Sequence, residues 1–193
     1  MQDFNSALYS PLVSTMETIF IVAFIFSCIL VLYLYKNKSN YLITALPLFV
    51  LASHQLEEYV LSPLMFGDKY HFLEWALRSG VNISPIEVTT INSVPYFLLP
   101  LLFLLKPSTK IFSILFLFNS SLLLSNGMFH IGLATAQTDY SPGMITSLFM
   151  YIPLYIKSLY LASERSLPMR GQIAITIYGS IAHFLMIWLV NIF

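Results

Sequence analysis

Residues 54–58 read His-Gln-Leu-Glu-Glu and stand near the end of the apolar run FVLASHQLEEYVLSP. In a helix, His54 and Glu58 are four residues apart and share a face, with Glu57 diverging somewhat from it. A second polar group, SNGMFHIG at 125–132, sets Asn126 and His130 at the same spacing. Ionised side chains are costly in hydrocarbon, so Glu and His within a membrane segment face the protein interior, take a partner and mark a site. Two histidines and a carboxylate supply three ligands for a divalent ion, zinc ahead of iron, with a fourth position left to water. His54, Glu58 and His130 are the expected metal ligands. Glu57 is the expected general acid/base on that water, Asn126 orients substrate or a ligand, and Tyr140 closes the mouth. The H-x-x-E-H order of inverted zincins has the same spacing, with Glu58 where the second histidine would stand. Two other readings fit these residues: a proton or ion relay, and a polar clamp between helices.

The elements that carry these residues are membrane helices. Of 193 residues, 58% are hydrophobic and 9% charged, with a mean hydropathy of +0.78. A soluble domain carries about 25% charged residues. Six spans of the roughly 20 residues needed to cross a bilayer are expected over 15–35, 41–61, 88–105, 111–135, 143–162 and 172–192. They form one all-α bundle, a single integral membrane domain over 1–193. Prolines 47, 95, 100 and 153 fall within spans and should kink them or free carbonyls. Cys28 is the one cysteine, which rules out an intrachain disulfide and a cysteine-based metal site. No Lys or Arg precedes the first apolar run, which argues against a cleaved secretory leader.

Seven of the nine Lys and Arg fall on one side of this arrangement: Lys36, Lys38, Lys106, Lys110, Lys157, Arg165 and Arg170. The positive-inside rule puts them in the cytoplasm and both termini outside. At 1.5 Å per residue, His54 then lies about 20 Å and His130 about 30 Å from the cytoplasmic ends of their helices. Both clusters come out in the outer half of the membrane. Glu17, Glu87 and Asn92 fall near that level, so the polar groups converge on an outward-facing cavity. His183 sits nearer mid-membrane and reads as a packed histidine. The stretch DKYHFLEWAL at 68–77 suits a helix in the headgroup layer, or a lid over the site.

His54-Gln55-Leu56-Glu57-Glu58, Asn126 with His130, and Tyr140-Ser141-Pro142-Gly143 together resemble the HXXEE-motif membrane proteins, over roughly residues 40–165. That family is found mostly in bacteria and is largely uncharacterised. The resemblance implies a small multi-pass protein of a bacterial plasma membrane, and it joins His54, Glu57, Glu58, Asn126 and His130 into one site. CAAX-type intramembrane proteases also combine a Glu pair with helix-borne histidines. This chain departs from them, with no Arg after the Glu pair and Ile187 where their final polar residue would follow His183. The expected function is a metal-dependent hydrolase in contact with the bilayer and acting on a lipid or lipid-linked substrate. A proton- or ion-coupled transporter is the alternative, a non-catalytic scaffold a third possibility, and no nucleic-acid partner is expected.

Overall fold

The computed structural model describes residues 11–81 and 83–190. Among these residues every regular element is helical. The first half comprises α1 (Pro11–Lys36), α2 (Leu42–Leu56), a π-turn (Glu57–Leu61), α3 (Ser62–Phe66), a 3-10 turn (Asp68–Tyr70) and α4 (Phe72–Arg78). Then come α5 (Pro85–Leu98), a 3-10 stretch (Leu99–Leu104), α6 (Lys110–Gln137), α7 (Met144–Thr146), a second π-turn (Ser147–Tyr151), α8 (Ile152–Glu164) and α9 (Met169–Val190). The expectation of an all-α protein holds.

By length and composition, five helices among the described residues qualify as spans, not the expected six. Pro11–Lys36, Pro85–Leu104, Lys110–Gln137, Met144–Glu164 and Met169–Leu189 are long and apolar enough to cross a membrane. The stretch 41–61 is not among them, because its second half carries His54, Gln55, Glu57 and Glu58. It is instead the most enclosed part of the bundle: Ala45, Leu51, Ala52, His54 and Gln55 are all buried. α1 lies along α2, and α9 and α8 both pack on α6. α1 and α9 turn Val22, Phe26, Ile29, Ile177, Phe184 and Trp188 outward, as lipid-facing helices do. The termini given an outward side, 1–10 of the leader reading and the last two residues of the span 172–192 lie outside the described residues.

Each π-turn sits one helical turn ahead of a proline, Pro63 or Pro153. A proline ring clashes with the carbonyl four residues back, here those of Tyr59 and Phe149, and offers no N–H to it. Widening that turn removes the clash. Ser62 N–H then bonds to Glu57 O and Ile152 N–H to Ser147 O, five residues back in each case. Wide turns of this kind are frequent at functional sites.

Below the polar group lies an apolar core of Leu48, Leu51, Leu99, Leu102, Phe112 and Phe116. A second core joins Val13, Met16 and Phe20 of α1 to Tyr59, Phe72 and Trp75. α4 therefore does not lie with its aromatics among headgroups. Trp75 is 1% exposed and stacks on His130 at 6.2 Å, with Phe72 5.6 Å from the same ring. It roofs the site, in the manner of the lid.

His71 precedes α4, packed edge-on to Tyr59, with Nε2 3.2 Å from Glu17 Oε1. Burial holds its pKa down at about 4, although the charges of Asp68 and Glu58 pull it up. The unfolded chain gains that proton near 6.5 and the folded chain near 4, so the contribution is complete above 6.5 and lost as pH falls toward 4. Unfolding midpoints in detergent should drop across that window by the equivalent of up to about 3 kcal/mol. His71→Phe should flatten the drop.

α6 and α9 cross at Gly179, where a Cβ would fall 2.7 Å from Phe118 O and 2.8 Å from Ser121 Cβ. Ser125 and Ser180 join hydroxyls at 2.8 Å beside it. Such close backbone approach through small residues is how membrane helices associate. Gly179→Ala is expected to cost about 1–3 kcal/mol in detergent unfolding. Gly132→Ala, on the same α6 where a Cβ meets open space, should be neutral or stabilising.

Candidate metal centre

The two adjacent glutamates point to different partners. Glu58 turns to the histidines: its Oε1 lies 3.4 Å from His54 Nε2 and 2.9 Å from His130 Nε2. The three ligand atoms all lie within 4.8 Å of one another, and all three residues are buried. Zn–ligand bonds of about 2.0–2.1 Å in a tetrahedron put neighbouring ligand atoms about 3.3 Å apart. The two glutamate–histidine separations bracket that edge, so these residues could hold a small divalent ion once His54 Nε2 exchanges its contact with Asn126 for the metal.

Each imidazole is held from behind through its other nitrogen. His54 Nδ1 is 2.8 Å from Thr146 Oγ1, and His130 Nδ1 is 3.2 Å from Ser141 Oγ. Thr146 spends its own proton on Gly143 O, so it accepts from His54 Nδ1–H, and the Nε2 lone pair faces Glu58. Asn126 Nδ2 donates to that nitrogen at 3.0 Å. A fixed tautomer with the outer nitrogen hydrogen-bonded is the usual support of a metal-binding histidine. The ring of Tyr151, from the second π-turn, packs on His54 at 4.6 Å.

Glu57 does something else. Its Oε1 accepts from Tyr140 OH at 2.6 Å and Ile145 N–H at 3.0 Å, and its Oε2 from Thr146 N–H at 2.7 Å. These amides belong to the first turn of the Met144–Glu164 helix, whose N–H groups have no partner within the helix and whose dipole favours an anion. Glu57 thus binds α2 to the start of that helix. Tyr140 completes the joint: its OH is 2.8 Å from Ser62 Oγ, and its ring meets Phe66 and Tyr70. Burial and the Glu57 carboxylate push the Tyr140 hydroxyl up. Asp139 accepts from Tyr70 OH and Tyr140 N–H, which holds its carboxyl below the usual range.

Gly143 makes the joint possible. Its φ is +87°, and a Cβ there would fall 2.5 Å from His54 Cε1 and 3.1 Å from Glu58 Cγ.

Of the residues expected at the site, His54, Glu58, His130 and Asn126 come together. Glu57 and Tyr140 form the adjoining anchor rather than facing the ligand atoms. Glu17 pairs with His71, and Glu87 forms a capping box with Ser84 at the start of α5. Asn92 lines a cavity that also reaches Glu58, Asn126 and His183. Sequence reasoning did not single out Thr146 and gave Ser141 no role. Ser141 had a signal in its place beside Tyr140 and Gly143, while Thr146 had none.

Residues 44–157 match the family described as "Protein of unknown function with HXXEE motif". The match covers more than half of the chain, and the chain belongs to that family. No curated protein and no solved structure matches it.

Glu57→Ala strands a hydroxyl and two backbone N–H groups. It is expected to lower stability in detergent unfolding by at least about 3 kcal/mol, against about 1 kcal/mol for Tyr140→Phe. Equal effects would sink the anchoring role of Glu57.

Proposed function

We propose that the chain is a metal-dependent membrane hydrolase whose ion is held by His54 Nε2, Glu58 Oε1 and His130 Nε2, zinc ahead of iron. One observation carries this reading. Two imidazoles with fixed outer nitrogens converge on one oxygen of a buried carboxylate, and among the described residues no Lys or Arg pairs with that carboxylate. Removing a carboxylate's charge from water costs several kcal/mol. A divalent ion neutralises the charge outright.

Such an ion supplies Lewis acidity and a water activated near neutral pH. The remaining roles follow from the chain's own groups. Both histidine contacts fall on Glu58 Oε1, which leaves Oε2 to take a proton from the attacking water and return it to the leaving oxygen. Asn126, 3.0 Å from His54, orients substrate or water. Glu57, with three donors on its two oxygens, positions the ligands instead of serving as base. Tyr140 closes that joint. A lipid or lipid-linked substrate, entering from the bilayer, suits a polar site within helices whose outer faces are apolar.

The orientation belongs to this proposal. The enclosed 42–66 helix counts as a sixth crossing, shielded from lipid by its neighbours. The basic ends then lie in the cytoplasm, the site in the outer half and both termini outside. The membrane is a bacterial plasma membrane. A proton relay has one observation in its favour, the unbroken His54–Glu58–His130 string. Among the described residues the core beneath it continues that string with no His or carboxylate, only hydroxyls and an amide, such as those of Thr44, Ser120 and Asn119, and liposome flux dependent on Glu58 would be needed to revive it.

Elemental analysis of detergent-purified protein tests the proposal. Wild type should carry about one divalent ion per chain. His54→Ala and His130→Ala should lower affinity by about 100-fold or more. Wild type without stoichiometric metal, or alanine variants with unchanged content, would end the metal reading.

A further inference from the structure

His183 of α9 is 2% exposed, and neither ring nitrogen has a hydrogen-bond partner. An unsatisfied buried donor or acceptor costs about 1–3 kcal/mol, so a merely packed histidine at this position would be a standing penalty. The imidazole lines a chamber of about 110 Å³. Glu58, Asn92 and Asn126 are its other polar walls, and Phe72, Ile91, Phe129 and Ile187 are among the apolar ones. Ile91 and Ile187 are only half-buried, so the chamber opens on the flank of the bundle between α5 and α9.

Size and chemistry narrow the occupant. A cavity of about 150 Å³ admits benzene, so this chamber takes a few heavy atoms and not a sugar or nucleotide headgroup. Its open side is apolar and its inner end carries a hydrogen-bond donor without a partner. We propose that the chamber binds the carbonyl end of a fatty-acyl chain. His183 N–H donates to the acyl oxygen, the first methylenes lie against Phe129 and Ile91, and the rest of the chain runs out between α5 and α9 into the bilayer. Glu58 lines the same chamber, which would bring the carbonyl toward the metal centre. The inference rests on the metal reading only for the fate of that carbonyl; the binding itself needs no ion.

The experiment uses the full chain in lipid nanodiscs and palmitic acid with a diazirine near its carboxyl end. Cross-links are mapped by mass spectrometry, and metal content is measured on the same samples. Labelling should concentrate on the segments of Ile91, Phe129 and Ile187, and survive chelation. It should fall about tenfold in His183→Phe, which keeps the ring shape but not the donor. His183→Gln, which retains an N–H, should restore much of it, and Ile91→Trp should block it by filling the chamber. Labelling spread over the lipid-facing sides of α1 and α9 and unchanged in His183→Phe and Ile91→Trp would overturn the proposal. A water-filled chamber with no focused labelling would do the same. Protein that purifies without stoichiometric metal, before any chelation, yet still labels at these residues would overturn the metal reading alone. Metal-loaded protein that does not would overturn this inference alone.

Discussion

Two adjacent carboxylates are buried in an apolar bundle that, among the described residues, brings no Lys or Arg to them. Each must be compensated where it lies, since an unpaired buried charge costs more than the rest of a domain can readily offset. The bundle uses a different device for each. Glu57 is met by the N–H groups and dipole of a helix start, whereas Glu58 lies against two imidazoles, with which it would share an ion in the proposed reading. The solutions are coupled. Seating residues 143–146 on Glu57 is what carries Thr146 to His54, and the same turn carries Ser141 to His130. The orientation of both ligand histidines therefore depends on an acid that touches neither of them.

The backbone is shaped to allow this. A regular α-helix through 57–66 would meet Pro63 with a clash, and the wide turn that resolves it is the turn holding the glutamate pair. The partner helix repeats the device ahead of Pro153, in the turn that presents Tyr151 to His54. Between them Gly143 packs against the imidazole at a distance no side chain allows. Prolines and a glycine, usually disruptive within a helical bundle, here fix the site.

How much of this the sequence disclosed follows from the range of each interaction. Helical spacing placed His54 with Glu58 and Asn126 with His130, because positions four apart share a face whatever the tertiary structure. Composition located the long apolar helices, but 41–61 falls short of a span by that measure because its second half carries His54, Gln55, Glu57 and Glu58. Hydropathy scores exposure to lipid, and this segment is shielded by protein. The division of labour between Glu57 and Glu58 was not legible, because it depends on the helix start at Met144, far along the chain. Pro153 reads from the sequence as a kink, and Pro63, past the end of its expected span, carries no signal. That they would widen turns at the site could not be read without knowing which turns faced one another. His183 looked like packing because a sequence does not reveal whether a buried nitrogen has a partner.

In the reading proposed above, the placement of titratable groups favours an enzyme over a carrier. A carrier needs groups that can satisfy a moving charge along a path toward both faces. Beneath the histidines this bundle offers Leu48, Leu51, Leu99, Phe112 and Phe116, with the hydroxyls of Thr44 and Ser120 as unpartnered polar groups. The titratable groups lie sideways instead: Glu58 and the His183 imidazole, whose nitrogens have no hydrogen-bond partner, both line one chamber that opens between two helices. A site built to receive its ligand from the side has no need of a second gate. What it does need is a rigid arrangement of the groups at its inner end, and the anchor through Glu57 provides that rigidity.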